Sequence, residues 1–141
     1  LLQLIKQYQL QKQIMIIDPV FSRDKNDIFN LADIFVHPSL HEGFPVVVVE
    51  AMTCGKPVVI SDGYSASEAV TDGQEGYLAK INNVDDWVQA LTKLINDQSL
   101  RSEMGQAALT KARRFTWENS AKQHLSAFNK LLHFHKHETT Q

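Results

Sequence analysis

One short segment holds most of the residues of this chain that could do chemistry. It runs His37-Pro38-Ser39-Leu40-His41-Glu42-Gly43-Phe44-Pro45 and follows an apolar run at residues 34–36. We expect a helix to follow, so the backbone N–H groups of Gly43, Phe44 and Val46 would be free at its positive end. Gly43 has no side chain and would let a ligand approach the backbone closely. The segment indicates an anion site, with a plain turn before a helix as the alternative.

Two carboxylates accompany this loop. Glu42 lies in the loop and Glu50 in the following segment, with seven residues between them. Five positions past Pro45 corresponds to about 7.5 Å along a helix. Carboxylates at these two depths could accept hydrogen bonds from two hydroxylated parts of one extended ligand. The alternative is that Glu42 is solvated and Glu50 faces water.

Apolar runs and helical patterns alternate along the chain. The runs are continuous rather than alternating and predict strands buried on both faces, at residues 14–17, 34–36, 58–60 and 77–79. Helical spacing predicts a first helix near Leu1, and later helices that begin at the capping residues Asp24, Asn83, Ser99 and Thr116. This order predicts an α/β domain with a parallel sheet and flanking helices.

The segment that follows Pro45 gives two opposite signals. Its four valines, residues 46–49, favour a strand by propensity. Pro45 suits the first position of a helix, and Gly55 suits the left-handed residue just past its end. A helix must also connect two parallel strands, so we predict a helix here.

The last predicted helix carries an apolar stripe. The stripe residues recur at helical spacing: Trp117, Ala121, Leu125, Phe128 and Leu132. We expect this stripe to pack in the core. If it is bare instead, it predicts self-association through the C-terminal helix.

Composition narrows the classes of function. The chain has 141 residues, 43% of them hydrophobic and 21% charged, which is typical of one globular domain. A formal charge of -2 gives no basic surface for nucleic acid. No apolar run is long enough to span a bilayer, and the single cysteine, Cys54, predicts a cytosolic protein.

Positive charge is scarce around the loop. His aside, Lys56 is the only cationic side chain between Lys25 and Lys80. A phosphate bound in this region would therefore depend on backbone amides or on cations from elsewhere. The histidines at 133, 135 and 137 could bind a metal if the chain were extended there, but a polar, frayed tail is the preferred interpretation.

Several short motifs resemble those of a known family. They are His37-Pro38-Ser39, Glu42-Gly43-Phe44-Pro45, Glu50-Ala51-Met52, Gly55-Lys56-Pro57-Val58-Val59, Glu68-Ala69-Val70 and Asp72-Gly73 through Gly76. In order and spacing they resemble the C-terminal, donor-binding domain of retaining glycosyltransferases of the GT-B fold, the glycosyl transferases group 1 or family four. The resemblance implies a Rossmann-like sheet and a partial nucleotide-sugar-binding domain at residues 1–134, followed by a polar tail at 135–141.

The resemblance also implies roles for particular residues. Glu42 would be catalytic, in contact with the donor sugar, and Glu50 would bind the ribose hydroxyls. The Gly43-Phe44 backbone would hold the diphosphate of the nucleotide-sugar donor. Pro45 and Val46 complete the implied donor site, with His41, Ser65 and Ser67 as further possible contacts. The family needs no bound metal or other cofactor.

Two departures from the family pattern lead to further expectations. Tyr64-Ser65 stands where the family has two adjacent glycines. The family's Arg and Lys that neutralise the diphosphate follow the first strand of this domain, and no such segment precedes Leu1. We therefore expect a chain truncated at its N-terminus, completed by a missing N-terminal domain or a partner chain. We also expect a cytoplasmic protein, peripheral at the membrane in its full-length form.

Three functions follow from the resemblance. The first is the donor half of a hexosyltransferase that transfers a sugar to a glycan, lipid or small-molecule acceptor. The second is a non-catalytic partner or nucleotide-binding module that completes a split transferase. The third is a related GT-B enzyme, either a nucleotide-sugar epimerase or a phosphorylase.

Overall fold

A computed structural model describes residues 1–21, 23–41, 43–63 and 66–138, with the backbone alone for residue 23 and residues 133–138. Helices and strands alternate through its first part, and helices alone follow. The elements are α1 (Leu2–Gln7), α2 (Arg23–Leu31), β1 (Phe35–His37), α3 (Val46–Thr53), β2 (Val58–Ser61), α4 (Ala66–Ala69), β3 (Gly76–Ala79), α5 (Val84–Asn96), α6 (Gln98–Ala112) and α7 (Trp117–Glu138).

The three strands form one parallel sheet in the order β1-β2-β3. Val36 pairs with Val59, and Val59 pairs with Tyr77, so the strands are level with one another. Parallel neighbours cannot be joined by a tight turn, and helices α3 and α4 make the two crossovers. The predicted α/β class and three of the four predicted strands are confirmed.

The central strand explains how the core divides. Successive side chains of β2 point to opposite faces of the sheet, and all three of its apolar residues are buried. Val58 and Ile60 pack with buried residues of α3, α4 and the end of α6. Val59 packs on the other face with Ala90 and Leu94 of α5. Helices therefore cover both faces of β2, as its continuous apolar sequence predicts.

Helix α3 is held against α6 by a close backbone contact. Gly55, with φ of 67°, lies just past the end of α3 in the left-handed conformation that the sequence predicted. Gly105 of α6 packs on it so tightly that an added Cβ would lie 2.2 Å from the carbonyl oxygen of Gly55. This contact determines how closely α3, and the loop before it, approach the rest of the domain.

An ion pair holds the amino end of β3. Glu75 is only 5% exposed, and its Oε2 accepts hydrogen bonds from the Thr71 N–H at 2.7 Å and from Lys111 Nζ at 3.1 Å. The same Lys111 ammonium donates to Thr71 Oγ1 at 2.8 Å. Since Lys111 belongs to α6, this cluster attaches the turn before β3 to that helix.

The strand predicted at residues 14–17 does not form. The segment has no regular structure, and Ile14, Met15, Ile16 and Ile17 are all exposed, Met15 by 85%. A strand needs a neighbour that completes its backbone hydrogen bonds, and no described segment pairs with this one. Apolar sequence was a correct sign of burial only where a paired strand was available.

The stripe on α7 is likewise not in the core of the described chain. Trp117 is 91% exposed, and Leu125, Phe128, Leu131 and Leu132 are each exposed by more than half. The prediction that this stripe packs in the core is therefore wrong for the described residues. Helical spacing identifies an apolar face, but it does not say what covers that face.

The helix starts agree with the sequence in part. Asn83 and Thr116 cap α5 and α7 as predicted, through bonds to the N–H groups of Asp86 and Asn119. Asp97, not Ser99, caps α6 by accepting from the Leu100 N–H at 2.9 Å. Asp24 lies inside the first turn of α2 rather than before it. The sequence did not predict the short helix α4.

The C-terminal helix extends further than expected. The backbone of α7 continues to Glu138, into the segment 135–141 that the sequence assigned to a polar tail. The metal-site alternative for the histidines at 133, 135 and 137 rests on side chains that lie outside the described part of the chain. Of the helices that the structure describes, none combines the length and the apolar character needed to cross a membrane.

The Gly55–Gly105 contact predicts that a Gly→Ala substitution in a helix lowers the stability of the protein instead of raising it. In an ordinary helix interior, Gly→Ala is stabilising by about 1 kcal/mol. Gly105→Ala should instead destabilise the protein by about 1–3 kcal/mol, because its Cβ would overpack against the Gly55 backbone just past the end of α3. Urea unfolding of this variant measures the effect, with Ser102→Ala on the exposed face of α6 as the control. A Gly105→Ala variant as stable as the Ser102→Ala control would contradict the close contact.

Candidate functional site

The carboxyl ends of all three strands open onto one cleft. Its volume is about 380 Å³. The end of β1 and the loop after it supply His37, Ser39, Leu40, His41 and Pro45 to its lining. The end of β2 and the segment after it supply Ile60, Ser61, Asp62, Gly63 and Ala66, and Ile81 lies just after β3. Open parallel sheets bind ligands at this edge. The cleft is therefore the candidate functional site.

The loop between β1 and α3 forms one side of this cleft. Ser39 Oγ donates to the carbonyl of His41 at 3.1 Å, which closes a local turn. Further along, Phe44 packs on Phe115, with ring centroids 5.3 Å apart. Phe115 lies between α6 and α7 and packs against the buried core. The phenylalanine pair thus attaches the exposed part of the loop to the body of the domain.

The start of α3 differs from the prediction in one respect. Pro45 is the N-cap rather than the first helical residue, with φ of -79° and ψ of 73°. These angles are those of an inverse γ-turn, and the Val46 N–H donates to the Phe44 carbonyl across it at 2.9 Å. The N–H of Val46 is therefore engaged, and the prediction that it is free for an anion is wrong.

The other two predicted amides remain available. Within the described chain, the N–H groups of Gly43 and Phe44 donate to no protein acceptor. An added Cβ at Gly43 would meet nothing within 4 Å, so the backbone there faces open space. Two exposed N–H groups beside the amino end of a helix can hold an anion such as a phosphate.

Glu50 lies about one and a half turns into α3 and already has a partner. Lys25 Nζ of α2 lies 2.7 Å from both Oε1 and Oε2 of Glu50. The two side chains are 34% and 35% exposed, respectively. The alternative that Glu50 merely faces water is therefore wrong. Sequence reasoning missed this pair, since 24 residues separate its members.

The cleft is poor in positive charge. None of its described lining residues is Lys or Arg, whereas Asp62 contributes a carboxylate. The Lys56 ammonium is directed elsewhere and donates to the Asn30 carbonyl at the end of α2, at 3.0 Å. Any anion in the cleft would therefore depend on backbone N–H groups, on the two histidines of the lining, or on residues outside the described lining.

Other predicted site residues are placed as follows. His41 and Pro45 line the cleft. Ser67 is exposed on α4 and does not line it. Glu42 and Ser65 lie outside the described residues, so their predicted roles stay predictions. His37, which the sequence placed in the candidate loop, lines the cleft. Sequence reasoning missed Asp62 as a lining residue, although the end of a predicted strand marks where such a residue lies.

The described residues contain no set of side chains that could bind a metal ion. No group of three or more His, Cys, Asp or Glu side chains in the described ranges converges on a point that could hold an ion. The expectation that the protein needs no metal stays a prediction. Cys54, half-buried at the end of α3, is a free thiol and takes no part in the cleft.

With the geometry in place, comparison with known proteins identifies the family. The family model described as Glycosyl transferases group 1 matches residues 1–111. The chain is also 38% identical over 103 residues to the D-inositol 3-phosphate glycosyltransferase of Paenarthrobacter aurescens (strain TC1). The chain belongs to the glycosyl transferases group 1 family.

Solved structures agree with this assignment to the glycosyl transferases group 1 family. Anabaena Alr3699/HepE, solved in complex with UDP, superposes on 91% of the chain with a TM-score of 0.81 and 26% identity, over 35% of its own length. The sucrose-phosphate synthase of Thermosynechococcus elongatus covers 92% of the chain with a TM-score of 0.82 at 23% identity, over 33% of its own length, and shows the fold alone. The predicted Rossmann-like α/β fold of the GT-B class is confirmed.

The match covers only part of each relative in the glycosyl transferases group 1 family. It spans 73% of this chain but 25% of the Paenarthrobacter aurescens protein. What a whole glycosyltransferase of this family does is therefore a matter of proposal for this chain.

Proposed function

We propose that this chain is the donor-binding part of a retaining glycosyltransferase. In this role it takes a sugar from a nucleotide-sugar and delivers it to an acceptor hydroxyl, with the anomeric configuration kept. The observation that carries the proposal is the cleft at the carboxyl edge of the sheet, lined in part by the same loop that carries the two open amides of Gly43 and Phe44. The family assignment supplies the reaction class, and Anabaena HepE has been solved with UDP-glucose.

The diphosphate of the donor would bind at the start of α3. The N–H groups of Gly43 and Phe44 are unpaired within the described chain and lie beside the positive end of the helix dipole. The open space at Gly43 admits a phosphate close to the backbone. These N–H groups would also stabilise the negative charge that develops on the diphosphate as it leaves, without a metal.

The ribose would bind on Glu50. A carboxylate can accept two hydrogen bonds from neighbouring hydroxyls, and Glu50 lies in the helix that follows the amide pair. Glu42 would contact the donor sugar near the anomeric carbon, and His41, which lines the cleft, would make a further contact. Ser65 would make a further donor contact, whereas Ser67 does not line the cleft and is left out of the proposed site.

The reaction itself is a transfer between two oxygens. The bond from the anomeric carbon to the diphosphate oxygen breaks, and a bond from that carbon to the acceptor oxygen forms. The acceptor hydroxyl loses its proton, and the released diphosphate takes it up. The protein contributes orientation and electrostatic stabilisation at the leaving group.

The proposal is tested by thermal unfolding with UDP, GDP and ADP at millimolar concentration. We expect one of these nucleotides to stabilise the chain, by about 2.7 kcal/mol at 100 times its dissociation constant. Glu50→Gln should weaken this stabilisation, because the neutral amide is a poorer acceptor for two hydroxyls and presents one oxygen instead of two. The matched control is Glu103→Gln on the exposed face of α6.

Two results would contradict this assignment. If no nucleotide moves the transition of the wild-type chain, donor binding by this chain is wrong. If one nucleotide does so and a folded Glu50→Gln variant responds equally, Glu50 does not bind the ribose. The Glu103→Gln variant should match the wild type in both stability and response.

A second domain or a partner chain would complete the site. The described cleft lining holds no Lys or Arg, and the apolar stripe of α7 is exposed. We propose that a second domain supplies the missing positive charge and the acceptor site, whether it belongs to the same protein or to another.

In the alternative function, the chain binds nucleotide without transfer and acts only as a partner module. The test combines this chain with the second domain and adds a nucleotide-sugar. Binding of the nucleotide-sugar without its consumption would favour this alternative.

The bare face of α7 also predicts self-association of the isolated chain. Leu125 and Phe128 lie one turn apart on that face, and both are exposed. Sedimentation velocity should show a sedimentation coefficient that rises with concentration. The double substitution Leu125→Glu and Phe128→Glu should abolish the rise, whereas Gln123→Glu with Ser126→Glu adds equal charge elsewhere on α7 and should not. A wild-type chain that stays monomeric at every concentration would contradict the prediction.

A cytoplasmic location belongs to the same proposal. Transfer to a lipid acceptor would place the whole protein at the membrane surface, bound peripherally. Cell fractionation with a high-salt wash tests this, because a peripheral protein is released by the wash. Retention in the membrane fraction after the wash, or export from the cell, would contradict it.

A further inference from the structure

The ion pair between α2 and α3 has a consequence for donor binding. Lys25 Nζ bridges the two carboxylate oxygens of Glu50, at 2.7 Å from each. Both side chains remain about one third exposed, so the pair borders solvent rather than the core. Lys25 therefore contacts the carboxylate to which the proposed function assigns the ribose.

Carboxylate geometry limits what a bridged Glu50 can still accept. A carboxylate has about four acceptor positions, two on each oxygen. An ammonium at equal distance from both oxygens uses the inner position of each. The two outer positions diverge, so two neighbouring hydroxyls of one ring cannot reach both of them. A vicinal diol that bonds to both oxygens must use the same inner positions as Lys25.

We propose that Lys25 is a specificity-determining residue of the donor site, an inference that rests on the proposed function. Lys25 occupies the ribose-binding position of Glu50, and the donor ribose displaces it. Because the ribose must first displace Lys25, its hydroxyls contribute less net binding free energy. The site therefore prefers ribose over deoxyribose less strongly than it would without Lys25. Lys25 acts through Glu50 and is a positioning residue, not a catalytic one.

Displacement of Lys25 is inexpensive in this setting. A partly exposed pair of this kind contributes little, since water and salt screen it and two long side chains must be ordered. The released ammonium can enter solvent, because a third of the side chain is already exposed. Lys25 thus modulates the affinity for ribose without blocking the site.

The test compares two ligands that differ only in the ribose hydroxyls. UDP and 2′,3′-dideoxy-UDP are titrated calorimetrically into the chain and its variants, with the guanosine and adenosine pairs used where uridine does not bind. Lys25→Met should tighten the binding of the ribonucleotide by about twofold to fivefold, the range expected for release of an ion pair that borders solvent. Its affinity for the dideoxy analogue should not change, so the ratio of the two dissociation constants rises.

Two further variants separate this effect from a structural one. Lys56→Met removes a neighbouring lysine that contacts α2 through the Asn30 carbonyl and does not contact Glu50. It should leave both affinities at the wild-type values. Lys25→Arg keeps a cation on Glu50 and should retain the wild-type ratio. Lys25→Gln replaces Lys25→Met if the latter variant does not fold.

Salt gives an independent readout. The advantage of Lys25→Met over the wild type should shrink between about 50 mM and 500 mM NaCl, because salt weakens the ion pair that the ribose must displace. Both ligands carry the same phosphates, so the ratio of their affinities cancels the effect of salt on the phosphates. A structural role for Lys25 would move both ligands together.

The contrary results are distinct. If the wild type prefers ribose and loses this preference in Glu50→Gln, but Lys25→Met binds UDP no more tightly than the wild type, Lys25 does not compete and this inference alone is overturned. Weaker binding in Lys25→Met would show that Lys25 supports the ribose contact, which also overturns it. A wild-type chain that binds none of the diphosphates overturns the proposed function together with this inference.

Discussion

The parallel pairing of β1, β2 and β3 brings the carboxyl ends of all three strands to one edge of the sheet. Every segment that leaves a strand therefore begins at that edge, and every crossover helix starts beside it. The loop after β1, the turn after β2 and the segment after β3 meet there and enclose the cleft. The position of the candidate site is thus a consequence of strand direction rather than of any single residue.

Helix α3 fixes the order of the polar groups at this edge of the sheet. Its amino end lies beside the open amides of Gly43 and Phe44, and its second turn carries Glu50. The contact between Gly55 and Gly105 holds the far end of the helix against α6, and the pair of Phe44 and Phe115 holds the loop. The two open amides and the Glu50 carboxylate thereby follow one another along the chain, from the loop into α3.

Much of the fold was predictable because a short apolar run with turn residues at both ends is typical of a buried strand. The helix at Val46–Thr53 was predictable against its valines, since a crossover between parallel strands requires one. The run at residues 14–17 misled because burial also requires a paired neighbour. The exposed stripe that begins at Trp117 misled for a related reason, because periodicity does not identify what packs on a face.

The site was predictable to a smaller extent. The loop and its glycine were recognisable from local pattern, whereas the inverse γ-turn that engages Val46 depends on dihedral angles that a sequence does not display. The pair of Lys25 and Glu50 depends on how two helices pack. Contacts between residues distant in sequence come from tertiary structure, and a single sequence gives no direct signal for them.

The central claim is that the carboxyl edge of this sheet binds the donor nucleotide. Backbone amide NMR spectra of the chain, recorded during titration with UDP, test it most directly. We predict that the signals of Gly43, Phe44 and Gly63 shift, while those of Gln74 and Gln106, which line a separate cleft at the opposite edge, stay in place. Shifts confined to Gln74, Gln106 and their neighbours would contradict the claim, as would unchanged spectra with UDP, GDP and ADP alike.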